Sequence, residues 1–155
     1  MPRTIATTTT VDRAALLEFL RPRHHVVLLT TRRDGSVVGS PVTSGVDEQG
    51  RIVISTYPER AKARNVARTG TASVVVLSED FGGPWVHVDG EAELLTLPES
   101  VEPLVDYFRA ISGEHPDWAE YRRAMVDQGK ALIRVTPTRW TPVATGGFPA
   151  RLADS

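Results

Sequence analysis

The sequence predicts a mainly β (α+β) chain that closes into a small antiparallel barrel with its helices at the periphery. Three observations point there. Six strand-like runs, residues 25–31, 36–46, 51–56, 72–77, 85–95 and 132–135, follow one another with short hairpin-type links. The Asp34-Gly35 pair between the first two runs is a strong local hairpin signal. No strand–helix–strand alternation of the kind that builds a parallel sheet occurs along the chain.

Taken in order, residues 1–10 are polar and threonine-rich and are expected to be flexible. Asp12 is placed to cap a helix that presents Leu16, Leu17 and Leu20 on one face, and Pro22 ends it. The run from His25 to Thr31 and the run from Ser36 to Val46 form the first hairpin, and the turn from Asp47 to Gly50 leads into Arg51–Thr56. A basic helix over Glu59–Arg68 follows. The almost wholly apolar stretch Ala72–Leu77 reads as a central strand covered on both faces. After the Asp80–Pro84 loop, Trp85–Leu95 alternates, and Gly90 within it marks a bulge where a barrel bends. Helical patterns over Glu99–Ile111 and Asp117–Asp127 precede a last strand at Leu132–Val135. The domain therefore spans 11–140, and 141–155 is expected to be an irregular tail.

Composition narrows the function. At 155 residues and 41% hydrophobic, the chain suits one well-buried core. A net charge of −1 with interleaved signs argues against a nucleic-acid binder, and no apolar run is long enough to span a membrane. The absence of cysteine removes disulfides, thiolate metal sites and cysteine nucleophiles, and fits a cytoplasmic location. The four histidines are scattered without metal-ligand spacing, so no metal is expected. GxGxxG, GxxxxGK[ST] and GxSxG are all missing.

One junction stands out. In RIVISTYPERAKARNV, residues 51–66, a β-branched strand passes through Pro58 into the basic helix. Unpaired amides and the positive end of the helix dipole make that helix start an anion site, with Arg60 and Lys62 supplying full charges beside Ser55 and Thr56. Arg64 lies one turn beyond Arg60, and Asn65 can both donate and accept.

With these elements in order, the chain resembles the split β-barrel flavin and deazaflavin oxidoreductases related to pyridoxamine 5'-phosphate oxidase. The resemblance runs nearly end to end. It rests on Asp34-Gly35 followed by Ser40-Pro41-Val42, on Ser55-Thr56 with Arg60-Ala61-Lys62 and Arg64-Asn65-Val66, and on Gly90-Glu91-Ala92. Gly113–Trp118, Tyr121-Arg122 and Ile133–Pro137 resemble the actinobacterial branch that uses coenzyme F420. What it implies is a six-stranded antiparallel split β-barrel that forms a homodimer with cofactor sites at the interface. Arg60, Ala61, Lys62 and Asn65 would hold the cofactor phosphate, Ser55 and Thr56 would line the phosphate and ribityl end, and Ser40, Pro41, Val42 and Thr43 would lie against the tricyclic ring. Arg64 or Arg32 would meet the oligoglutamate tail.

The activity implied is hydride transfer between C5 of the deazaflavin and a small conjugated or unsaturated substrate. Two alternatives stand beside it: an FMN-dependent oxidoreductase of the same class, and a non-catalytic F420-binding carrier. Catalytic residues are left unassigned except for His87, a proton-donor candidate because imidazole titrates near neutrality. A structural histidine on a barrel strand is the competing reading. Trp85 reads as interface packing, and Trp118 with Tyr121, three apart on a helix, as packing anchors.

Overall fold

The computed structural model describes residues 3–154. A seven-stranded antiparallel sheet of order β3-β2-β6-β7-β8-β5-β4 curls into the barrel. Its strands are β2 (His25–Thr31), β3 (Val37–Thr43), β4 (Gly45–Val46), β5 (Ile52–Thr56), β6 (Thr71–Val76), β7 (Val86–Leu95) and β8 (Ala131–Trp140). A separate two-stranded sheet joins β1 (Thr7–Thr9) to β9 (Val143–Thr145). The helices are α1 (Arg13–Leu20), α2 (Ala61–Thr69), α3 (Val101–Ser112) and α4 (Trp118–Gln128).

The local signals explain much of this. Asp12 caps α1, its Oδ1 accepting from the Ala15 amide at 2.9 Å. In the β2–β3 hairpin Gly35 takes φ +88°, and Asp34 Oδ1 accepts from the Ser36 amide at 2.9 Å. The register of β7 against β8 shifts between Asp89 and Gly90, so the bulge lies where the glycine places it.

Strands β5 and β8 carry two cores. Ile52, Ile54, Ile133 and Val135 face the barrel interior with Val26, Leu28, Val74, Val76, Val86 and Val88, and α1 and α2 add Leu16, Leu20 and Val66 to it. Val53 and Leu132 face the other way, against Leu104, Val105, Tyr121 and Met125 of α3 and α4. Trp118 and Tyr121 are packing anchors here, edge-to-face at 5.7 Å with Phe108 and His115 beside them.

Four differences from the sequence reading have physical causes. The run 36–46 is two strands, because the chain leaves β2 at Thr43 and β4 pairs with β5 instead. The sheet thus has seven strands, not six. The doubly covered strands are β5 and β8, since α3 and α4 pack there, while β6 alternates buried and half-exposed residues. Strand β8 extends to Trp140, well past Val135. The segments expected to be flexible (1–10) and irregular (141–155) supply β1 and β9, with Thr7 Oγ1 and Thr145 Oγ1 2.7 Å apart; residues 1, 2 and 155 of those segments lie outside the described residues.

Candidate functional site

Strand β3 forms one edge of the sheet, and it runs beside β5 near the other edge without pairing to it. Directly after Thr43, Gly45 of β4 pairs with Val53 of β5, so the C-terminal end of β3 comes to the C-terminal end of β5. Along β3 exposure alternates: Val37, Gly39, Pro41 and Thr43 are exposed, and Val38, Ser40 and Val42 are half-buried. Val42 packs on the barrel core. Gly39 is left bare because a Cβ there would come within 3.2 Å of Leu29 and Val27, whose side chains lean over it.

At the end of β5 the chain makes a turn through Pro58, closed by the Arg60 amide donating to Tyr57 O at 3.1 Å, and α2 begins after it. The helix therefore starts at Ala61, two residues later than the sequence reading placed it, with Arg60 as the N-cap. An arginine offers no acceptor, so the first-turn amides have no side-chain cap, and no acidic residue lies in that turn. At the end of β5 Thr56 is buried and its Oγ1 has no hydrogen-bond partner among the described residues. A buried hydroxyl without a partner costs about 1–3 kcal/mol unless something else meets it. Uncapped amides, an unpartnered hydroxyl and two cations fit a bound phosphate.

The pairing of Thr56 with Ala131 adds a third cation that the sequence reading missed. Lys130 Nζ lies 4.4 Å from the centre of the Tyr57 ring, and Arg60 Cζ lies 5.8 Å from it. Only the β5–β8 register places Lys130 here, and no local motif reports that register.

Asn65 is used differently from its neighbours. It is buried, its Nδ2 donating to Thr30 Oγ1 at 3.2 Å and its Oδ1 accepting from Arg68 Nη1 at 3.1 Å. Arg68 also donates to Thr31 O. The amide thus ties α2 to β2, and Thr30 and Arg68 already engage its side chain. Arg60, Arg64 and Arg68 form an exposed row one turn apart on α2. Among the described residues no carboxylate lies within 4.0 Å of the charged nitrogens of these three or of Lys62.

His87 lies elsewhere, on the outer face of the sheet in a hollow of about 710 Å³ that none of the phosphate-seat residues lines. Its Nε2 lies 2.8 Å from Asp89 Oδ1. The Ser73 hydroxyl above all, with His87 and Arg139, holds the Asp89 carboxyl at about 2, against burial that acts the other way. A depressed carboxyl stabilises the fold above its unfolded value and loses that contribution as pH falls through its folded value. Asp89→Asn should therefore cost about 2 kcal/mol in urea unfolding at pH 6, and the gap from the parent chain should close by about pH 2. A gap that persists unchanged into acid would place the effect in packing instead of charge.

The fold recurs in solved structures. The chain superposes on a conserved hypothetical protein from Mycobacterium tuberculosis with a TM-score of 0.70 at 21% identity, covering 90% of this chain and 89% of that one. An F420 reductase matches with a TM-score of 0.60 at 19% identity, over 80% of this chain and 94% of its own. A heme-binding protein from Mycobacterium smegmatis matches with a TM-score of 0.61 at 18% identity, over 85% and 54%. At these identities the likeness is one of fold. The family model described as pyridoxamine 5'-phosphate oxidase matches residues 13–144, from the first residue of α1 through the barrel to β9. Since that span takes in most of the chain, with the curled sheet and the start of α2, the chain belongs to the pyridoxamine 5'-phosphate oxidase family.

Proposed function

We propose that this protein is an F420-dependent oxidoreductase acting on a small conjugated or unsaturated substrate. The observation that carries the reading is the uncapped start of α2, where Thr56 Oγ1, the first-turn amides and the side chains of Arg60 and Lys62 make a seat for a cofactor phosphate. When bound, the deazaflavin would supply the hydride at C5. The chain's own part is to fix the phosphate, support the ring along Ser40–Thr43 and exclude water from the reacting face.

Family membership supports a flavin-type cofactor, and two features favour F420 over FMN. One is the structural likeness to an F420 reductase. The other is the exposed Arg64 of α2, without a carboxylate partner among the described residues, which suits an oligoglutamate tail that FMN lacks.

A homodimer is part of the same proposal. Val27, Leu29, Pro41 and Val75 share the outer sheet face with Val37, which is 60% exposed. An apolar face of this kind is suited to a second copy of the chain, which would enclose the cofactor. Light scattering at micromolar concentration should give twice the chain mass.

Fluorescence titration of the purified protein with F420 and with FMN tests the cofactor. F420 should bind at least about tenfold tighter, about 1.4 kcal/mol. Arg64→Ala should weaken F420 about two- to fivefold and leave FMN unchanged, as expected for an exposed ion pair. Preference for FMN would replace F420 in the reading, and tight F420 binding without oxidation of the reduced cofactor by quinones, enones or tetrapyrroles would make the protein a carrier.

A further inference from the structure

The outer-face hollow holds a hydrogen-bonded set that the phosphate seat does not use. Ser73, Asp89 and Arg139 stand side by side on β6, β7 and β8, and His87 shares their face two residues before Asp89. Asp89 Oδ1 accepts from Ser73 Oγ at 2.6 Å and from His87 Nε2 at 2.8 Å. Asp89 Oδ2 accepts from Arg139 Nε at 3.1 Å and Nη2 at 2.9 Å. The carboxylate is held from three strands at once.

An ionised carboxylate only accepts, so His87 Nε2 must carry the hydrogen it shares with Asp89. That fixes the tautomer. Nδ1 is then the ring nitrogen left over, and it has no hydrogen-bond partner among the described residues. In the single chain His87 lines the 710 Å³ hollow, whose wall includes Leu29 and Val37 of the face proposed for the second copy, so that copy would roof the groove; His87 also lines an adjoining hollow of about 480 Å³ bounded by Trp85, Trp140 and Thr141. Trp85 is 38% exposed there and offers an aromatic face to a planar molecule. The charged groups facing the imidazole are Asp89 on its own strand and Arg139 on β8, with Glu91 further along the hollow; the β6 residues there, Thr71, Ala72 and Ser73, and Val75 paired with His87, carry no charge. The bond to Asp89 would fix the tautomer of a structural histidine too, but it does not account for an unpartnered Nδ1 beside a hollow.

We propose that this groove is the substrate site and that His87 is its acid–base residue, with Asp89 as the positioning residue that keeps Nδ1 aimed into the groove. The proposal rests on the oxidoreductase reading. As the hydride adds to the electrophilic carbon of the substrate, the π bond breaks and its electron pair moves onto the conjugated heteroatom. The Nδ1–H bond of the imidazolium breaks and its proton goes to that electron pair. The substrate gains two electrons, the cofactor loses two, and neutral His87 is reprotonated from solvent.

Two measurements test it. Side-chain ¹⁵N NMR of the cofactor-free protein, with His87→Gln assigning the signal, should show the neutral ring as the Nε2–H tautomer, and Asp89→Asn should mix the tautomers. In single-turnover oxidation of pre-reduced F420 by an enone or quinone, His87→Gln should slow the reaction by about 10²-fold or more and flatten its pH profile, with F420 affinity unchanged. Asp89→Asn should fall between the two and shift the profile. An Nδ1–H tautomer in the parent protein, or a His87→Gln rate equal to the parent rate, overturns the proposal and leaves the oxidoreductase reading standing. A parent protein that binds F420 but reduces no acceptor overturns both.

Discussion

Gly90→Val is expected to destabilise the fold by about 3 kcal/mol or more, lowering Tm by about 10 °C, through overpacking at a point that cannot yield cheaply. A Cβ at this position would lie 2.4 Å from Thr136 O and 2.6 Å from Val135 Cγ1. The first of these is backbone in the paired strand, so no rotamer change relieves it. Relief requires β7 and β8 to separate at the bulge between Asp89 and Gly90, where the sheet bends. The ladder there carries the core residues Val88 and Val135, so the damage reaches the barrel interior. Gly70→Ala is the control. Gly70 has φ +69° at the end of α2 but nothing within 4 Å of an added Cβ, and should lose only about 1 kcal/mol. Thermal melts of the two variants should separate clearly, and equal losses would mean that conformational freedom, not close approach, is what Gly90 supplies.

The same glycine shows what a sequence can report. A glycine inside an alternating strand is a local anomaly, and the bulge it signals is where the structure has it. Asp12 and Asp34-Gly35 are local in the same sense, since cap and turn are satisfied within three residues. Features that depend on which strands meet are harder to read. Thr7–Thr9 carries no apolar pattern, and it is a strand only because Val143–Thr145 lies beside it. Ala72–Leu77 looks fully buried by composition, yet burial on its outer face depends on where α3 and α4 pack, and they pack on β5 and β8.

The candidate site divides the same way. Arg60 and Lys62 are legible because a proline, a strand end and a helix start are consecutive in the chain. Asn65 reads as a donor and acceptor for the phosphate, but only the fold shows that Thr30 and Arg68 take up its amide. Lys130 needs the β5–β8 register before it can be placed near Tyr57. His87 alternates with its neighbours like any strand residue, and only the pairing of three strands assembles Ser73, Asp89 and Arg139 around it.

Replacing both Arg60 and Lys62 by alanine should weaken cofactor binding by about 3 kcal/mol or more, over 10²-fold, because two charge-assisted contacts to the phosphate disappear together. The loss should be shared by F420 and FMN, since both present a phosphate, unlike the F420-only effect expected of Arg64. Stability should hold. Neither cation has a carboxylate partner among the described residues, and Arg60 is exposed, so nothing buried is left unpaired by their removal. Taking two like charges from the start of a helix also relieves repulsion with its dipole. Thr56 supplies the contrast: Thr56→Val keeps the shape of a residue that is 4% exposed and removes an Oγ1 with no hydrogen-bond partner among the described residues. That variant should be at least as stable as the parent without cofactor and bind cofactor more weakly, as measured by melting and by fluorescence titration. A parent-like affinity in the double-alanine protein would move the phosphate away from α2. A Thr56→Val protein that loses stability but not affinity would give the hydroxyl a structural partner instead of a ligand.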